Sequence, residues 1–132
     1  MNEFKYGFGQ AVDMTFDAAV ERVIEALQTE GFGVLSDIDV AATLKKKLDE
    51  DMPPYRILGA CNPPLAHRAL LNEPSIGLLL PCNVVVREDV GGAVHVEMMD
   101  PAAVLDLVGN PDVNDLAVEV RSRLERVLAA LS

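Results

Sequence analysis

Cys61 and Cys82, each followed directly by an asparagine, are the residues of this sequence best suited to chemistry. Cys61 closes the run Tyr55 to Ala60 and precedes Asn62-Pro63-Pro64. Asn is among the strongest helix N-caps and Pro is favoured at the first helical position, so a helix is expected to begin here. Its unpaired N–H groups and dipole would favour a thiolate at Cys61, making it a nucleophile, a metal ligand or part of an anion site. His67 lies about one turn into that helix, where its ring could reach the thiol and act as its base. A plainer alternative stands beside this one. Free cysteines are often small buried hydrophobes, and His67 and Arg68 could face water while Leu65, Ala66, Ala69 and Leu70 pack.

Three further positions join the candidate set. Cys82 falls on the buried face of a hairpin, as either a core residue or a second thiol for Cys61. Asn83 interrupts the apolar stretch from Ile76 to Val86, and a buried amide needs partners. Met99, beside Met98, offers a soft wall for a ligand or simple core filling. Cys61, Asn62, His67, Cys82, Asn83 and Met99 therefore form the candidate ligand-binding set, with no catalytic residue assigned. C-x-x-C pairs are absent and His95 has too few companions, so no metal site is expected. The sequence also lacks a P-loop, a dinucleotide-binding glycine fingerprint, a serine elbow and an H-E-x-x-H motif, which sets those enzyme classes aside. The cofactor, if there is one, is left open.

The elements that must position these residues belong to one domain, residues 1–132. Half of the residues are hydrophobic but only 5% are aromatic, so the core must be aliphatic. The formal net charge of −10 repels polyanions, and nucleic acid is not an expected partner. The one basic run, Lys45-Lys46-Lys47, falls at a helix end, where cations meet exposed carbonyls. The N-terminus shows no secretory pattern and no stretch is long enough to span a bilayer. A cytoplasmic setting follows, with Cys61 and Cys82 as thiols.

Punctuation by Gly and Pro divides the chain into strands and helices in the order β-α-β-α-β-α-β-β-α-α. Phe4 to Val12 reads as one strand, with Phe4, Tyr6 and Phe8 alternating. Thr15 caps a helix that stops at Gly31; Phe32 to Ile38 is a second strand; Asp39 caps a short helix carrying Val40, Leu44 and Leu48 inward. Tyr55 to Ala60 is a third strand, and the helix after Cys61 runs to about Glu73. A hairpin follows from Cys82 to Met99. A three-residue loop, Val90-Gly91-Gly92, pairs Val84, Val86 and Glu88 with Met98, Val96 and Val94 and leaves Arg87, His95 and Glu97 on the other face. Asp100-Pro101 and Asn110-Pro111 open two more helices. The last has the apolar stripe Val113, Leu116, Val120, Leu124, Val127 and Leu131, with Arg121, Arg123 and Arg126 on a solvated face.

Three stretches, Gly31 to Leu35, Tyr55 to Pro63 with Leu65-Ala66, and Leu79 to Val86, together with Met99-Asp100-Pro101, carry a resemblance. The chain resembles domain of unknown function 302, a group of small bacterial and archaeal proteins, over nearly its whole length. On matching positions Cys61, Asn62, Pro63, Cys82, Asn83, Asp100 and Pro101 carry the family pattern, with no roles assigned there. The resemblance implies a compact α+β fold with helices packed on a sheet, and a homodimer. It brings no reaction.

Residues and resemblance together lead to an α+β fold of two layers, with a mixed or antiparallel sheet of about five strands. The first functional reading is a non-catalytic module that binds a small anionic or thiol-reactive ligand near Cys61-Asn62-Pro63. The second is a homodimeric interaction protein using the hairpin or the last helix. A thiol enzyme or redox protein using Cys61 ranks third, because no catalytic constellation is complete.

Overall fold

The computed structural model describes residues 1–132. Its strands are β1 (Asn2–Phe4), β2 (Gly7–Val12), β3 (Gly33–Asp39), β4 (Tyr55–Cys61), β5 (Cys82–Glu88) and β6 (Val94–Met99). Its helices are α1 (Phe16–Thr29), α2 (Val40–Leu48), α3 (Pro63–Asn72), α4 (Pro101–Leu105) and α5 (Pro111–Ala129), with 3-10 segments at Pro74–Leu79 and Asp106–Val108. The strands form one antiparallel sheet in the order β1-β2-β6-β5-β4-β3. The fold is α+β, as expected, with six strands in place of about five.

The extra strand comes from the N-terminus. Phe4 to Val12 is not one strand but a tight hairpin, in which Phe4 opposes Gly7 and Glu3 opposes Phe8. Gly7 permits the reversal because a Cβ there would lie 2.8 Å from the Phe4 ring and from the Met98 carbonyl oxygen. The aromatic alternation is therefore shared between two arms, and Phe4 and Tyr6 meet edge to face across the turn.

Alternation in the other strands sets one layer against the other. Phe8, Leu58, Ala60, Val84, Val86, Val94, Val96 and Met98 share one face and join Ala19, Val23 and Leu27 of α1 and Leu124, Val127 and Leu128 of α5 in the main core. A fully buried Val or Leu contributes about 1.5–3 kcal/mol, so this face holds the domain together. The hairpin adopts the three-residue loop. Val84 opposes Met98 and Glu88 opposes Val94, while Asp89 Oδ1 accepts from the Gly91 and Ala93 N–H groups at 2.9 and 3.0 Å. Tyr55, Ile57, Val85, Glu97 and Met99 point the other way and are half-buried.

Each Pro-initiated helix begins at its expected cap, with Asn62, Asp100 and Asn110 accepting from the first turn. Two expectations are corrected. Asp39 caps α2, yet α2 buries no residue and Leu48 is 64% exposed. This short helix follows the edge strand and has β4 as its main neighbour, so no second layer seals its apolar side. Nor is the arginine face of α5 merely solvated. Arg121 lies 4.3 Å from the Phe8 ring centroid and binds Asp100 at 2.6 Å, besides pairing with Glu3 and Glu125. Arg123 donates to the Glu30 carbonyl at 3.0 Å and Arg126 pairs with the Glu30 carboxylate at 2.8 Å.

Gly31 ends α1 at φ +84°, with Phe32 N–H donating to the Leu27 carbonyl at 2.9 Å. A Cβ there would stand 2.8 Å from Asn62 Nδ2, whereas one at Gly109, φ +72°, would meet nothing. Gly109→Ala should cost about 1–2 kcal/mol through its left-handed backbone alone. Gly31→Ala should cost more, because Asn62 must also move. Urea midpoints at unchanged slope check this; equal losses would show that the Asn62 contact has no weight.

Candidate functional site

Where β4 ends and α3 begins, the chain leaves the sheet through Cys61 and Asn62. Asn62 Oδ1 accepts from Leu65 N–H at 3.3 Å, and the Asn62 carbonyl accepts from Ala66 N–H at 2.9 Å. The cap is only 7% exposed. From here α3 leans away from the sheet and packs with the 3-10 segment Pro74–Leu79, with α4 and with the first half of α5 in a second, smaller cluster around Leu65, Ile76, Leu105, Val113 and Leu116. Between that cluster and the main core lies a cleft of about 310 Å³.

Fifteen of the eighteen residues lining the cleft are hydrophobic; the other three are Asn62, Gly77 and Pro81. No charged side chain lines it, so an anion entering would lose its water with no cation in the wall to replace it. Leu35, 70% exposed, and Leu70, 42% exposed, stand at its open side.

The six candidate residues fall in three places. Cys61, Asn62 and Cys82 line this cleft together. Asn83, which is exposed, and Met99, which is half-buried, line a second hollow of about 320 Å³ with Tyr55, Val85 and Glu97 on the opposite face of the sheet. His67 is exposed and lines neither. No group of three or more His, Cys, Asp or Glu side chains converges on a point that could hold a metal.

The electrostatics reverse the expectation for the thiols. Burial pushes Cys61 above its ordinary value and Cys82 up to about 11, where the neighbouring Cys61 adds to the effect. The α3 N-terminus offers little help to a thiolate, because its Leu65 N–H is already taken by Asn62. Both sulfurs are free thiols in an apolar setting.

The residues that sequence reasoning left out are the cleft walls on α5, Leu116, Ala117 and Val120. Their signal was present: the last helix carries an apolar stripe longer than the sheet can cover. Leu80, which also lines the cleft, ends the apolar run Leu78-Leu79-Leu80, of which Leu78 is 88% exposed.

An antiparallel sheet with its core on one face, and an apolar thiol-bearing cleft at the start of a Pro-initiated helix, defines a class of small α+β domain. The chain belongs to the DUF302 family: the model of that family, a domain of unknown function, matches residues 8–131. It is similar to the uncharacterized conserved protein DUF302 from Bacillus stearothermophilus, whose crystal structure agrees with a TM-score of 0.90 at 29% identity. That match covers 96% of this chain and 98% of the other. No curated protein matches the chain.

The raised thiols give a testable sign. A group with Cys82 pushed up to about 11 is roughly one part in a thousand thiolate at pH 8. Iodoacetamide should modify Cys61 before Cys82 in the folded chain, with rates still climbing past pH 9. Above the ordinary thiol value of 9.0 only the unfolded chain ionises this group, so stability should fall between pH 9 and about 11, and less steeply in Cys82→Ala. A fast alkylation plateau near neutral pH would contradict this assignment.

Proposed function

We propose that this protein is a non-catalytic binding module whose cleft takes a small, largely apolar molecule. The observation that carries the reading is the wall itself, apolar except for one amide and free of charge. A concave apolar site with few polar groups is the usual form of a small-molecule pocket, and about 310 Å³ is at the small end of that range. This replaces the anionic ligand suggested by the helix N-terminus alone, because a short dipole does not offset the desolvation of a charge. The thiols support the same reading. Neutral at physiological pH, they leave the wall uncharged, and no base stands beside them. The net charge of −10 speaks against nucleic acid as a partner. No helix is long and apolar enough to cross a membrane. Two free thiols suit a reducing, cytoplasmic setting.

A second reading has its own support. The sheet face that carries Tyr55, Ile57, Val85 and Met99 contributes nothing to either core cluster, and such a face suits contact with a second copy. Light scattering at micromolar concentration should then give twice the chain mass, and Val85→Glu should restore the monomer. A wild-type monomer would remove this reading.

The primary reading is tested by titration with Nile red, an uncharged apolar dye. Saturable one-site binding is expected, and Ala66→Phe, which fills the cleft from α3, should weaken it about tenfold or more with unchanged circular dichroism. No saturable signal with the wild-type chain would overturn the proposal.

A further inference from the structure

The one amide in the cleft wall narrows the chemistry of its ligand. Asn62 is more than nine-tenths buried, and its two ends have different fates. Oδ1 is committed to the α3 N-terminus through Leu65 N–H. That bond fixes the orientation of the amide and leaves Nδ2 as its donor end, which makes no hydrogen bond within the chain and, unlike Arg123 Nε, is not sealed from solvent. A donor open in this way can exchange water for an acceptor on a bound molecule. Every other side chain lining the cleft is apolar or a neutral thiol. A molecule that fits must therefore match a hydrocarbon wall and a single neutral donor.

Resting on the binding reading above, we infer that the ligand is an uncharged, mainly hydrocarbon molecule with one carbonyl-type acceptor, which takes its hydrogen bond from Asn62 Nδ2. An ester, ketone or amide head satisfies that donor. A carboxylate head is excluded on energetic grounds, since it would surrender its hydration to one neutral N–H with no cation in the wall. A head with donors only would leave Nδ2 unmatched. Each methylene of the body buried in the wall should tighten binding about fourfold until the cleft is full.

Its role as a cap makes Asn62 a practical probe. Asn and Asp are equally good N-caps, so Asn62→Asp keeps the bond to Leu65 N–H while removing the Nδ2 donor. The effect on the ligand can therefore be read apart from loss of the cap.

The test is displacement of Nile red at pH 8 by three probes: methyl heptanoate, octanoate, which is the anion of its isomer octanoic acid, and butylbenzene, which has no comparable acceptor. Methyl heptanoate should compete well and octanoate at least about tenfold less well, from the uncompensated charge. Asn62→Asp, which also puts a carboxylate at the wall, should weaken methyl heptanoate at least about fivefold more than it weakens butylbenzene. Octanoate matching or exceeding methyl heptanoate on the wild-type chain would overturn the inference without any variant. So would an Asn62→Asp chain that treats methyl heptanoate and butylbenzene alike. If none of the three probes displaces the dye, and the dye itself does not bind, it is the binding reading that fails.

Discussion

One helix has to seal two hydrophobic clusters at once, and the cleft is the consequence. The first half of α5 gives Val113, Leu116 and Ala117 to the smaller cluster; its second half gives Leu124, Val127 and Leu128 to the main core. Leu116 and Leu124 are about 12 Å apart along a helix that rises about 1.5 Å per residue. Val120, midway, is only half-buried and touches both clusters without closing the gap. The walls around it are small: Ala60 from β4, Ala66 and Ala69 from α3, and Ala117 from α5. Their small side chains leave the two clusters unmerged, with apolar volume between them. The cleft thus follows from residue size at four positions.

Polar contacts hold this geometry in place. Arg121 stacks over Phe8 while binding the caps and edges around it, Asp100 at the start of α4 and Glu3 on β1. Arg123 and Arg126 clamp the C-terminal end of α1 through Glu30. That end is Gly31, whose missing Cβ makes room for Asn62. The register of α5, the end of α1 and the start of α3 are therefore linked through one chain of contacts that stops at the only polar group in the cleft wall. In a chain of net charge −10, spending three of eleven cations on α5 keeps that helix fixed between its two duties.

Much of this was readable from residue types. The caps Thr15, Asp39, Asn62, Asp100 and Asn110 and the stop at Gly31 mark each helix because they act locally, through one side chain or one backbone angle. The hairpin register was equally legible, since a one-residue slip would have turned Arg87 and Asp89 into the core. What could not be read depends on distant partners. Phe4 and Tyr6 alternate like a strand, and only the approach of Phe4 to Gly7 reveals a turn. The amphipathic pattern of α2 gave no sign that nothing would cover it. At the site, Cys61 and Asn62 of the motif Cys61-Asn62-Pro63 line a cleft whose apolar character the motif alone does not announce. A helix N-terminus suggests negative charge, but part of the wall beside it comes from α5, fifty to sixty positions away, and is aliphatic.

An apolar gap persists between the two cores because one helix cannot fill it. Diffraction from a crystal of the wild-type chain pressurised with xenon measures this most directly, since xenon enters dry apolar space and avoids hydrated polar space. Xenon density between Ala66, Ala117 and Cys82 is the expected result. A chain of ordered waters in that space, or α3 collapsed onto α5 with no space at all, would contradict it.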